Sequence, residues 1–199
     1  MRHGFVTVAA AVPSVRVADT DFNLRAIECQ IARAEGMGVE VLCFPELSLT
    51  GYTCQDLFRS QLLVDKAEEA LLQLLDFTRK LDVISIVGLP VAVGGLLLNC
   101  AAVVQKGCLL GIVPKTYLPN YNEFYEKRWF ASSRDLRPTE ITLPAVRLCC
   151  RPTPKCLSPS TAQGLASRFA KTCGHPFRRA TTSPWPVPTS CSTSRPATS

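Results

Sequence analysis

Glu46 follows Pro45 at the end of a short apolar run, Val39 to Phe44, that reads as a buried strand. A sheet would hold its backbone while the carboxylate faced a crevice, a placement suited to general acid/base chemistry. The same spacing also fits an exposed acidic residue capping a turn. Lys115 follows a second apolar run and by position alone reads as a solvated strand end. The chain has ten cysteines. Cys29, Cys43, Cys54, Cys100 and Cys108 are scattered through apolar segments without ligand spacing, and read as buried free thiols in a reducing compartment. Cys173 and His175 lack a second pair at ligand spacing, so no metal is expected.

The elements that must position these groups alternate. Phe5 to Val12 is an apolar strand ending at Pro13. Asp19-Thr20-Asp21 offers a helix N-cap, Leu24, Ile27, Ile31 and Ala34 recur at helical spacing, and Gly36 supplies the stop. Val39 to Phe44 is the second strand, and Gln55 to Phe58 a short helix after a loop. Ala67 to Leu81 is the clearest helix, with Ala70, Leu71, Leu74, Leu75 and Phe77-Thr78 on one apolar face. Val83 to Leu89 is a buried strand. Leu97 to Val104 and Leu109 to Val113 are two more, joined by a turn at Lys106-Gly107. The order predicts an α/β layer with helices on one face of a sheet.

At 47% hydrophobic and 19% charged residues, the 199-residue chain suits one globular, soluble domain. No run is long enough to span a bilayer, and the start has too short an apolar core for a signal peptide, so a cytoplasmic protein without membrane contact is expected. The net charge of +6 is unevenly placed. Arg151, Lys155, Arg168, Lys171, Arg178, Arg179 and Arg195 face no acidic residue from Leu148 onward. Taking these seven from the 22 Lys and Arg leaves 15 against 16 acidic residues. The composition therefore breaks near residue 147. With sparse aromatics and spread charges, the basic tail does not read as a nucleic-acid arm.

Two long stretches carry a resemblance. Phe44-Pro45-Glu46-Leu47-Ser48-Leu49-Thr50-Gly51-Tyr52 resembles the glutamate motif of the nitrilase (carbon–nitrogen hydrolase) superfamily, and more narrowly that of the glutaminase domains of glutamine-dependent NAD synthetases. Pro114 to Phe130 is similar to the family's second motif, in the order and at roughly the distance from Glu46 that the family shows. The resemblance implies an α/β fold, a nitrilase-like αββα sandwich of two packed sheets, often widened to αββααββα by dimerisation into a homo-oligomer. It implies a Glu-Lys-Cys triad in which a cysteine thiolate attacks the side-chain amide of glutamine, Glu46 moves the proton and Lys115 stabilises the oxyanion. Glu126 matches the glutamate that orients the lysine, with Glu123 a nearby competitor. Tyr121 matches a contact to bound glutamine, and Tyr52 either lines the same pocket or simply packs. The glutaminase reaction needs no cofactor. ATP and Mg would serve only a synthetase domain, expected to be absent from this chain, that amidates nicotinic acid adenine dinucleotide with the released ammonia.

The third motif of the family should read Gly-x-x-Ile-Cys-Glu-Asp-Leu-Trp, and it is missing. None of Cys149, Cys150, Cys156 or Cys173 sits in such wording. After Leu148 the chain loses periodicity and fills with Pro, Ser, Thr, Arg and Cys. The genetic code suggests why. Ser167 to His175 can be encoded by TCG AGA TTT GCG AAG ACC TGT GGG CAT. Read from the last base of the serine codon, the same bases spell Glu-Ile-Cys-Glu-Asp-Leu-Trp-Ala. The same shift lets Cys191 to Ser199 become Phe-Asn-Leu-Ser-Ala-Ser-Asn-Glu, which resembles the family's later glutamine-binding motif. The expectation is a partial glutaminase domain over residues 1–147, then an out-of-frame, irregular or disordered tail over 148–199, with the shift between 144 and 156. A sheet left short of strands predicts poor solubility. Two other readings remain open: a stand-alone amidase on another substrate, using a tail cysteine, or a catalytically dead interaction module.

Overall fold

The computed structural model describes residues 5–135. Five strands form one sheet in the order β1 (Val8–Ala10), β2 (Val41–Cys43), β3 (Ile84–Val93), β4 (Leu96–Gln105), β5 (Cys108–Pro114). The first three run parallel, linked through α1 (Thr20–Gly36) and α2 (Gln61–Phe77). The last three run antiparallel and are joined by tight hairpins. The α/β class and the helices on one face follow the sequence expectation. The tail from residue 148 and its cysteines lie outside the described residues, as does any second sheet.

Local chemistry explains each element. The Asp19 carboxylate accepts from the Phe22 N–H at 3.0 Å, capping α1 as its sequence predicts. At the other end Glu35 accepts from the N–H groups of Asp82 and Val83, tying α1 to the start of β3. Leu24, Ile27, Ile31 and Ala34 of α1 and Ala70, Leu71, Leu74 and Leu75 of α2 bury against Leu42, Val87, Leu89, Val91 and the alternate residues of β4. Each fully buried Leu or Ile contributes about 1.5–3 kcal/mol. The opposite sheet face is apolar too, with Val41, Ile84, Ile86, Val103 and Leu110 packed together. A sheet apolar on both faces is built for covering on both sides.

Several boundaries move. Helix α2 begins at Gln61, six residues before the expected start, and its apolar face already opens with buried Leu63 and Val64, ahead of the charged Asp65 and Lys66 that interrupt the run. It ends at Phe77, where the chain tightens into a 3₁₀ turn over Thr78–Lys80, and Phe77 itself is exposed rather than on the apolar face. Strand β3 runs on through Pro90 to Val93 and turns at Gly94-Gly95, both at positive φ. That two-residue hairpin is the kind that paired glycines favour. Of the five cysteines expected to be buried, Cys54, Cys100 and Cys108 are, whereas Cys29 is exposed on α1 and Cys43 is half-buried.

Candidate active site

Glu46 sits on a loop that leaves β2 and is fastened on three sides. The Phe44 N–H donates to the Ile86 carbonyl at 2.9 Å, prolonging the ladder to β3. The Leu49 N–H donates to the Gly88 carbonyl at 3.1 Å, and the Gly88 N–H donates to Ser48 Oγ at 3.2 Å. Gly88 is required here, because a Cβ on it would stand 2.3 Å from the Leu47 nitrogen and 2.9 Å from the Pro45 carbonyl. From the helix side, buried Asn23 donates to the Leu49 carbonyl at 3.0 Å. Leu47 takes φ +52, a left-handed conformation that costs a branched residue about 1–2 kcal/mol and that its complete burial holds in place.

Lys115 extends from the end of β5. Its N–H donates to the Asn99 carbonyl at 2.8 Å and its carbonyl accepts from Ser133 N–H at 3.0 Å. Its ammonium reaches Glu46 Oε1 at 2.6 Å and both oxygens of Glu126 at 2.9 Å. Glu126 opens a short 3₁₀ turn, Glu126–Arg128, and is only 2% exposed. The Phe130 N–H donates to its carbonyl, and the Phe130 ring packs on Phe58 with centroids 4.9 Å apart. Three separate segments thus bring two carboxylates to one ammonium.

Burial pushes the Glu126 carboxyl above its ordinary value, and the charge of Glu46 adds to this. Hydrogen bonds from Lys115 and Tyr52 act the other way. The Tyr52 hydroxyl donates to Glu126 Oε1 at 2.7 Å. Burial and that bond push its own titration upward, so it stays a neutral donor. Beside the Glu46–Lys115 pair lies a cavity of ≈ 60 Å³ lined by Phe44, Pro45, Ile86, Asn99, Ala101 and Val113 among others. Cys43 and Cys100 also touch it. Burial drives the Cys100 thiol far up, which keeps it protonated and unreactive.

Of the five residues singled out from the sequence, Glu46, Lys115 and Glu126 converge. Tyr52 joins them through Glu126 and is not among the residues lining the cavity. Tyr121 is 58% exposed, stacks edge-on against Phe124 and does not line it either. Glu123, the competitor of Glu126, is exposed. Sequence reasoning missed Asn99, which is 3% exposed and donates its amide N–H to Glu46 Oε1. Its signal was available: a lone amide inside the run Leu96 to Val104 demands a buried partner. It also missed Asp56, whose carboxylate accepts from Arg128 at 2.9 and 3.0 Å and from the Trp129 indole at 2.9 Å. These bonds clamp the Tyr52–Arg59 turn to the turn bearing Glu126, and no spacing rule links residues so far apart.

A half-buried ammonium shared by two carboxylates, next to an apolar cavity, is an acid–base pair with a fixed cation. Among the described residues no cluster of His, Cys, Asp and Glu could hold a metal ion, and no helix is long and apolar enough to cross a membrane. The carbon-nitrogen hydrolase family pattern matches residues 7–151. The chain is 36% identical over 138 residues to the glutamine-dependent NAD(+) synthetase of Mycobacterium tuberculosis, covering 69% of this chain and 20% of that protein. Among solved structures it is similar to a glutamine-dependent NAD(+) synthetase from Cytophaga hutchinsonii, with TM-score 0.61 and 31% identity over 64% of this chain and 22% of that one. An amidase from Nesterenkonia sp. shares the fold at TM-score 0.58 and 24% identity, over 66% of this chain and 49% of that one. The chain spans about a fifth of the length of the curated relative.

Proposed function

The chain belongs to the carbon–nitrogen hydrolase family, and from that premise we propose that its described residues form the acid–base wall of a glutamine amidohydrolase site. The observation that carries this reading is Lys115 Nζ held between Glu46 and Glu126 at 2.6 and 2.9 Å, beside the cavity. A carboxylate within reach of an incoming thiol proton and a cation within reach of a carbonyl oxygen are the two fixtures that amide hydrolysis through a thioester needs.

In that reaction a thiol gives its proton to Glu46 and its sulfur bonds to the side-chain amide carbon of glutamine. Lys115 stabilises the oxyanion. The carbon–nitrogen bond then breaks and Glu46 returns the proton to the leaving ammonia. Water, deprotonated by the same carboxylate, releases glutamate from the thioester. Glu126 orients Lys115, with Tyr52 holding Glu126. Tyr121 matches the family position that contacts bound glutamine, although it does not line the cavity described above. In the whole protein the ammonia would pass to an ATP- and Mg-dependent synthetase that amidates nicotinic acid adenine dinucleotide.

The sequence spells no cysteine in the nucleophile motif, so the chain as written has negligible glutaminase activity. The out-of-frame decoding of residues 148–199 accounts for that. Sequencing the DNA over Leu143 to Lys155 tests the frame directly. Ammonia release from glutamine, measured on the 199-residue chain and on a frame-corrected chain, tests the site. The expected result is activity only after correction, abolished again by Glu46→Gln or Lys115→Ala. Efficient hydrolysis by the uncorrected chain would overturn the assignment.

A further inference from the structure

Every N–H of the Lys115 ammonium is already engaged. An ammonium carries three donors. One bond runs to Glu46 Oε1 at 2.6 Å and one to each oxygen of Glu126 at 2.9 Å. To stabilise an oxyanion, the lysine must release one of them. Glu126 is 2% exposed, so releasing it would strand a buried carboxylate. The bond to Glu46 is the one that the proposed reaction itself weakens. Once Glu46 holds the thiol proton its charge is gone, and the bond loses its ion-pair character. The same step leaves Glu46, which stands on a loop, without its cation.

Asn99 is seated to hold the carboxyl at that moment. Strand β4 lies between β3 and β5, so its backbone is fixed on both sides. Asn99 pairs with Pro90 of β3, and its carbonyl accepts from the Lys115 N–H at 2.8 Å. Strand alternation sets its side chain on the face of Ala101 and Val103, where it is 3% exposed and lines the cavity. Its Nδ2 donates to Glu46 Oε1. The reverse orientation would set an amide oxygen against a carboxylate oxygen, two acceptors face to face. Because the amide is neutral, its bond has no ion-pair component to lose, and an ordinary amide-to-carbonyl bond remains when Glu46 is protonated.

We propose that Asn99 is a positioning residue that keeps Glu46 aimed while Glu46 carries the proton, so that Lys115 can leave it for the oxyanion. The reaction it serves is the glutaminase reading above, on which this role rests. The thiol proton goes to Glu46 Oε2 and the sulfur bonds to the amide carbon. The carbonyl π pair moves onto oxygen, where the N–H released from Glu46 meets it. Asn99 stays on Oε1 throughout. When the carbon–nitrogen bond breaks, the proton on Oε2 passes to the departing ammonia from an orientation that has not changed. Glu46 is thus fixed by a rigid strand in both of its protonation states, and by the lysine in only one.

Two measurements test this. In the 199-residue chain, Glu46→Gln supplies a neutral side chain of the same shape and stands in for the protonated carboxyl. Lys115 and Asn99, both donors, turn its oxygen towards themselves. Hydrogen exchange of the Asn99 side-chain amide, assigned in NMR spectra by its loss in Asn99→Leu, should stay within about threefold of the parent in Glu46→Gln. It should quicken at least about tenfold in Glu46→Ala, which removes the acceptor. An unprotected parent amide, protection lost in Glu46→Gln, or protection unchanged in Glu46→Ala would overturn the proposal. Should Glu46→Ala fail to fold by circular dichroism, the parent and Glu46→Gln decide. In the frame-corrected chain, Asn99→Leu should lower kcat per folded molecule about 10–100-fold and leave KM within about twofold. An unchanged kcat would also overturn it. An inactive frame-corrected parent would instead overturn the glutaminase reading, and the exchange measurement then judges Asn99 alone.

Discussion

Replacing Gly88 by alanine attacks the candidate site without touching an ionisable group. The added carbon would lie 2.3 Å from the Leu47 nitrogen, 2.9 Å from the Pro45 carbonyl oxygen and 3.0 Å from the Glu46 carbonyl carbon. All three are backbone atoms, so no side chain can swing aside. Ordinary contact begins near 3.4 Å, and the loop must therefore withdraw by about 1 Å. Overpacking of this kind costs about 1–3 kcal/mol. The paired bonds between Gly88 and the Ser48–Leu49 segment weaken with the same movement, adding about 1 kcal/mol. We expect Gly88→Ala to lower stability by about 2–4 kcal/mol in urea titrations. The Glu46–Lys115 contact, now 2.6 Å, would open to about 3.6 Å, beyond hydrogen-bond reach. The Leu49 amide, bonded to Gly88, should lose exchange protection in parallel. The matched change Gly36→Ala meets nothing within 4 Å and should be neutral or stabilise by up to about 1 kcal/mol. A Gly88→Ala chain within about 0.5 kcal/mol of the parent, with the Leu49 amide unmoved, would refute the argument that this glycine seats the Glu46 loop.

Two further predictions concern pH. Burial raises the Glu126 carboxyl above 4.5, so the folded chain binds more protons than the unfolded one in the window above that value. Stability then falls as pH rises through it. Glu126→Gln should remove this slope in urea midpoints taken from about pH 4.5 upward, and an unchanged slope would place its origin elsewhere. Asp56 shows the opposite sign. Hydrogen bonds from Arg128 and Trp129 lower it from 3.8 to about 2, so its stabilisation is present above 3.8 and lost as pH falls towards 2. Asp56→Asn should flatten that acid limb by a small amount, since the clamp is solvent-exposed. Equal acid sensitivity of parent and variant would show that the clamp contributes nothing to the coupling of the two turns.

The sheet was legible where residues repeat. Leu24, Ile27, Ile31 and Ala34 stated α1 through their spacing, and Lys106-Gly107 marked a hairpin by the turn those residues favour. The parts not legible are those that distance creates. Asp56 meets Arg128 across 72 residues, and Asn23 holds a carbonyl 26 residues away. Gly88 carries no local sign that another loop will cross it, since a glycine inside a strand reads equally as a bulge. Glu126 could be told from Glu123 only by resemblance until burial separated them. The start of α2 is the exception: Leu63 and Val64 in its first turn are buried and stand at helical spacing from Ala67, but the charged pair Asp65 and Lys66 interrupts the run.

Hydrogen bonding distinguishes the two carboxylates more sharply than position does. Both oxygens of Glu126 accept from Lys115, and one of them accepts from Tyr52 as well. Its acceptor capacity is largely engaged, and a buried carboxylate so occupied is poorly placed to take a further proton from a substrate. Glu46 is loaded on one side alone: Lys115 and Asn99 both donate to Oε1. Its Oε2 has no partner among the described residues. A base needs one oxygen held and the other available, and this asymmetry supports the proposed division in which Glu46 transfers the proton and Glu126 holds the lysine. Every atom in that assignment belongs to the loop after β2, to the Tyr52–Arg59 turn, to β4, to the end of β5 or to the Glu126 turn. The wall is therefore shaped by residues that precede the change in composition near residue 147, and the proposed change of frame would remove the thiol while leaving the proposed base and cation in place.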